Sequence, residues 1–170
     1  MASNCRASAE PRDRRPPRRT VARRVALQLL YEAEQRDGLS DERVAEFLRR
    51  FAPRGDVGRY CRTLVDGVLR RRSDLDRRLA PLCENWAWER VSPVEKTILR
   101  IAAFELLEMS DVPPRVVLNE AIELAKRFAS PDAASFVNGV LDALLRSLRT
   151  DAEDDPSSAA ETDGGETQIQ

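Results

Sequence analysis

Residues 92–109, SPVEKTILRIAAFELLEM, restrict the fold more than any other stretch of this chain. Ser92 stands at a helix N-cap, Pro93 at the first helical position and Glu95 at the third. That is a capping box, with proline placed where its missing N–H costs nothing. Val94, Ile98, Leu99, Ile101, Ala102, Phe104, Leu106 and Leu107 then cover most of the cylinder, leaving Arg100, Glu105 and Glu108 as a narrow wet stripe. A helix apolar on nearly every side belongs among other helices. Ser110, Asp111 and Pro113–Pro114 stop it. The stretch predicts the central post of an all-α domain.

The flanking segments supply the partners for such a post. Apolar residues recur at three and four over 20–36 (Ala22, Val25, Ala26, Leu29, Leu30, Ala33) and over 40–51 (Val44, Phe47, Leu48, Phe51). A third helix runs to about Arg72. Ser73 with Asp76 three residues later reads as a cap that opens a fourth helix, disturbed by Pro81. Residues 84–91 form a connector carrying Trp86 and Trp88. After the post come a helix over 115–128 and a last one, opened by Ser130–Pro131–Asp132 in the manner of Ser92–Pro93, that fades by Thr150. The expectation is about seven helices. Gly38 should end the first, and Gly139, inside the last, suggests close approach of a neighbouring helix.

The charge is unevenly spread although the net is −1. Residues 1–24 hold eight Arg against Glu10 and Asp13, whereas residues 151–170 hold seven acidic groups and no basic one. The domain reading is a disordered basic arm over 1–17, a helical domain over 18–150 and a disordered acidic tail over 151–170. A basic end on a balanced body suggests a polyanionic partner. Cys5, Cys61 and Cys83 form no metal pattern and cannot all pair, which points to a reducing compartment. No apolar run is long enough to span a membrane, and the N-terminus lacks the apolar segment of a signal peptide. A soluble, cytoplasmic protein is expected.

Catalysis finds little support. The chain has no histidine, so the commonest general base and metal ligand is missing. No nucleophile motif or glycine-rich phosphate loop is present, and no cofactor or metal is expected. Glu120 and Glu123, three apart on one helix, read as a solvated edge. The arginines are the better lead. Arg18, Arg19, Arg23 and Arg24 crowd the start of the first helix, where cations oppose the helix dipole. A phosphate partner would account for them; so would plain compositional bias, since the chain has 26 Arg and only 2 Lys. Arg70–Arg71–Arg72 with Arg77–Arg78 form a second cluster that reads more simply as a solvated face. Phe136, close behind the start of the last helix, is either a stacking platform for an unpaired base or core.

These residues resemble one family. VEKTILRIAAFELLEMSDVPPRVVLNEAIELAKRF followed by FVNGVLDAL is similar to the C-terminal half of NusB transcription antitermination factors, and ARRVALQLLYE to their opening helix; the likeness covers about residues 18–149. It implies an all-α NusB-like fold of two small helical bundles. It also implies a non-catalytic RNA-binding function: recognition of the single-stranded boxA RNA of ribosomal RNA operon transcripts, together with the small-subunit ribosomal protein that doubles as Nus factor E. The pair would join a complex with RNA polymerase and other Nus factors that resists termination. Carried over residue by residue, the resemblance implies RNA contacts at Arg18, Arg19, Arg23, Asp132 and Phe136, and a ribosomal-protein face that includes Tyr31 and Glu95. Glu95 would then act both as capping residue and as partner contact. NusB-like proteins occur as monomers and as homodimers, and a dimer would cover the RNA face. Two alternatives stay open: a helical scaffold that binds only protein, and a detached NusB-like RNA-binding module of an rRNA cytosine methyltransferase. In this chain Thr20 and Val21 interrupt the basic run and Arg24 takes a place usually held by Glu, which shifts phosphate contacts toward the basic arm.

Overall fold

The computed structural model describes residues 17–36, 40–51, 55–83 and 86–153. Six α-helices carry the fold: α1 (Arg18–Gln35), α2 (Asp41–Phe51), α3 (Gly55–Leu79), α4 (Pro93–Glu108), α5 (Pro114–Phe128) and α6 (Ala133–Glu153). Two short 3-10 turns, Ala80–Leu82 and Trp88–Arg90, link α3 to α4. There is no strand among the described residues. No described helix is long and apolar enough to cross a membrane. The arm before residue 17, Gly38 and the tail after residue 153 lie outside the described residues.

The expected post is α4. Its capping box is complete: Ser92 Oγ accepts from the Glu95 N–H at 3.3 Å, and Glu95 Oε2 accepts from the Ser92 N–H at 3.2 Å. From Thr97 to Glu105 every residue of α4 is buried. The helix packs on α1 and α3 along one side and on α5 and α6 along the other. It is thus shared by two small bundles, and one continuous apolar core runs through both. Ile98, Leu99 and Ala103 are fully enclosed there, beside Leu29 of α1, Leu64 of α3 and Leu141 of α6.

Four expectations need correction. First, Ser73 opens no new helix: α3 continues through it for 25 residues, so the third and fourth expected helices are one. Neither Gly nor Pro intervenes to stop the backbone, and Leu75 and Leu79, both enclosed, reward its continuation. Second, Ser130–Pro131–Asp132 forms a turn before α6 rather than its first turn. Third, the expected wet stripe of α4 is largely dry. Arg100 is 4% and Glu105 1% exposed, each neutralised from a neighbouring helix. Arg100 binds Asp76 of α3 through two bonds of 2.6 and 2.8 Å and also reaches Glu34 of α1. Fourth, the close helix approach is not at Gly139, where no atom of another helix lies within 4 Å of where a side chain would begin. It is at Gly67, where an added Cβ would lie 2.1 Å from the Phe104 ring.

Candidate nucleic-acid interface

The first turn of α1 holds no acidic residue, and its N-cap, Pro17, offers no side chain to the free backbone donors. Arg18 and Arg19 stand on this positive end, so helix dipole and side chains add to one another. Both are accessible. Arg18 pairs with Asp56 at 3.0 Å with its side chain 75% exposed. Arg19 pairs with Asp111 at 2.5 Å and lies over the Tyr60 ring, 4.8 Å from its centroid. With Arg59 and Thr63 they line an open cleft of about 490 Å³. Surface ion pairs of this kind hold little free energy and exchange readily for a phosphate.

Beneath this surface lies Arg23, the next arginine of the basic run. Its side chain is 2% exposed. Its Nε donates to both oxygens of Glu105, at 3.0 and 2.9 Å, and an Nη donates to the Tyr60 hydroxyl at 3.3 Å. Glu120 lies 3.6 Å from its other Nη. The Tyr60 hydroxyl in turn donates to Glu105, and Thr20 donates to Glu120 at 2.7 Å. Burial alone would lower the pKa of Arg23, but the Glu105 hydrogen bonds and charge outweigh it and leave it raised. Burial, then the bond to Glu105, pushes the Tyr60 phenol well above its ordinary value. The network fastens α1 to α3, α4 and α5 and holds Tyr60 under Arg19. The structure thus places Arg23 beneath the surface, its guanidinium enclosed by protein groups, rather than on it beside Arg18 and Arg19. Glu120, expected at a solvated edge, belongs to the same network, whereas Glu123 is exposed and pairs with Lys126.

The second arginine cluster is mostly paired within the protein. Arg71 binds Asp74 and Glu108, Arg72 binds Glu34, and Arg77 and Arg78 face Asp74. It carries no candidate site.

Three of the remaining expected residues, Glu95, Asp132 and Phe136, gather at the far end of α4. Asp132 is exposed and Phe136 half-buried. Together with Glu95, Ser92, Phe128 and Trp86 they line a cleft of about 540 Å³. Glu95 is already engaged: Oε2 serves the capping box and Oε1 accepts from the Ser130 hydroxyl at 3.3 Å, tying the α5–α6 turn to the start of α4. Tyr31, on α1, is 39% exposed. Trp86, in the connector between α3 and α4, is 57% exposed. No sequence pattern marked Tyr60, Glu105 or Trp86 as part of these sites, because each is recruited by a helix distant in the chain.

The structure brings Arg18 together with Arg19, and Asp132 together with Phe136 and Glu95, but it separates the two groups. Arg19 meets Asp111, just beyond the C-terminus of α4, while Glu95 lies in its first turn. The helix between them has 16 residues and rises about 24 Å. The molecule has a cationic pole and an aromatic pole, bridgeable by an extended strand of several nucleotides.

Fold and site thus define the class: an all-α body of two bundles on a shared helix, with a cationic and an aromatic end. The chain belongs to the NusB family, whose model matches residues 20–146. It is 45% identical over 127 residues to a transcription antitermination protein NusB of Xanthomonas campestris pv. campestris, covering 75% of this chain and 79% of the relative. It is 37% identical over 130 residues to that of Syntrophus aciditrophicus, covering 76% and 81%. Among solved structures it is similar to T. maritima NusB, with a TM-score of 0.70 at 31% identity over 78% of this chain and 92% of that one. It is also similar to a chain from a complex of antitermination factors NusB and NusE with dsRNA, with a TM-score of 0.69 at 27% identity over 76% and 97%.

Proposed function

We propose that this protein is a cytoplasmic transcription antitermination factor. It binds single-stranded boxA RNA of ribosomal operon transcripts together with the ribosomal protein that acts as Nus factor E, and the pair joins RNA polymerase and other Nus factors. It is not an enzyme. The observation that carries the reading is the pair of accessible arginines on an uncompensated helix N-terminus, Arg18 and Arg19, with Arg19 held over Tyr60. The names of its relatives, and the assembly of NusB, NusE and RNA in a structural neighbour, support the same reading.

The two poles suggest a division of labour. Phosphate contacts at Arg18 and Arg19 supply salt-dependent affinity, and stacking and base-edge contacts near Phe136 and Asp132 supply sequence preference. Tyr31 and Glu95 lie on the surface offered to the ribosomal protein. Each partner presents part of the RNA site, so each raises the other's affinity for RNA.

The test is binding of labelled boxA-type RNA against a scrambled strand, with and without the ribosomal protein, at two salt concentrations. Selective binding, strengthened by the partner, is expected. Arg19→Ala should weaken binding to both strands alike and lower the salt slope by roughly 0.7 per lost phosphate contact. Equal binding of both strands, unmoved by the partner, would overturn the reading in favour of a protein-binding helical scaffold.

A further inference from the structure

Trp86 is the most exposed large apolar side chain among the described residues, yet it does not stand alone. It lines two clefts. One, of about 540 Å³, lies toward the start of α4. The other, of about 580 Å³, runs along α6 past Gly139 to Arg146. Phe136 and Asp132 line both as well, so these three residues form a ridge with a hollow on either side.

Two further observations concern the hollow along α6. Gly139 sits in the middle of that helix, where glycine is disfavoured, and no packing requires it: no atom of another helix lies within 4 Å of its missing side chain. An exposed helical glycine on the floor of a cleft leaves room for a ligand to approach the backbone closely. The charges flanking the ridge also balance, with two arginines against Asp132 and the already bonded Glu95. Arg90 stands in one hollow and Arg146 in the other, while exposed Asp132 belongs to both. A carboxylate at the centre repels a phosphate but accepts hydrogen bonds from exocyclic amines and ribose hydroxyls. The chemistry suits bases, with arginines at the margins for the backbone that enters and leaves.

From this arrangement we infer that the Trp86–Phe136 ridge is a stacking site for consecutive unpaired bases of single-stranded RNA, with Trp86 as a base-stacking residue and Gly139 as the floor that admits the strand. The inference rests on the RNA-binding function proposed above and locates sequence reading at the aromatic pole. Base–aromatic stacking tolerates any base; the preference comes from Asp132, which favours amino-bearing bases over uracil.

The experiment uses the full chain with the ribosomal protein and labelled boxA-type and scrambled RNAs. Trp86→Ala should weaken boxA binding about 5- to 150-fold, the range expected for loss of one stacked base, and leave the salt slope unchanged. Trp86→Phe should restore most of it. Gly139→Leu should weaken binding with the helical fold intact. In a Trp88→Phe variant, where Trp86 is the sole tryptophan, boxA RNA should quench its emission. Selective binding that persists undiminished in Trp86→Ala and Gly139→Leu, with Trp86 emission unmoved, would overturn the inference and leave the RNA-binding function standing. Failure of the unaltered protein to bind either RNA would overturn both.

Discussion

Arg23 shows how one residue can carry a functional signature and serve a structural end. By sequence it belongs to a basic run at a helix start. By position it faces inward, a turn beyond Arg19, and meets Glu105 in the interior. Breaking a buried ion pair leaves an uncompensated charge and costs about 3–5 kcal/mol. Arg23→Ala should therefore lower the melting temperature by roughly 10 °C, a shift measured by circular dichroism. The doubly apolar Arg23→Met, Glu105→Leu should recover much of it. At temperatures where Arg23→Ala stays folded, its RNA salt slope should equal that of the parent; a slope lowered by one phosphate contact would return Arg23 to the RNA. Tyr60 offers a second check. Its raised pKa means that the folded state favours the neutral phenol. The associated stability is full below the unfolded value near pH 10 and is lost as pH rises above it toward the folded pKa. In a Tyr31→Phe variant, where Tyr60 is the only tyrosine, tyrosinate absorbance should emerge only together with alkaline unfolding. A phenol that ionises near pH 10 in a folded chain would contradict the network.

Two glycines separate what helix elements need from what they tolerate. Gly67 of α3 faces Phe104 of α4 at a point where a methyl group would sit inside the ring's contact distance. Gly67→Ala forces apart α3 and α4, an overpacking cost of typically 1–3 kcal/mol. Combining it with Phe104→Leu should relieve part of that cost. Gly139→Ala, by contrast, meets nothing and should raise unfolding free energy by up to about 1 kcal/mol through helix propensity. Urea unfolding of the two variants measures both signs; a destabilised Gly139→Ala would mean that α6 packs more closely there than described. Most elements were legible in the chain because 3.6-residue periodicity and capping residues are local. The capping box of α4 was readable residue by residue. Ser73 was misleading for the same reason: a Ser with an acid three residues on satisfies a local cap rule, but Asp76 is drawn to Arg100 on another helix, and α3 runs through.

At the scale of the whole molecule, α4 is both the core of two bundles and the spacer between two poles. Its length sets the distance from the cationic surface at Arg18 and Arg19 to the aromatic ridge at Trp86 and Phe136. The charge of residues 151–170 nearly matches that of residues 1–24 with opposite sign, so this segment should compete with RNA for the basic end. Removing residues 151–170 should tighten RNA binding, most at low ionic strength, with the gain shrinking as salt shortens the screening length. Affinity unchanged by truncation at low salt would count against the competition.

Sequence alone determined the helical class, the central post with its cap and stop, the unequal charge of the two ends and the family. All of these follow from short-range rules: helix periodicity, capping chemistry, composition and contiguous motifs. Only the tertiary structure decided which charges face water. Arg19 and Arg23 stand one helical turn apart with the same chemistry, yet one covers a tyrosine at the surface and the other is sealed against Glu105. Burial of a charge depends on whether a distant helix supplies its counter-charge and excludes water, and no local pattern records that pairing. The same holds for the ridge: Trp86 in a connector and Phe136 on the last helix become one surface only when α6 packs on α4.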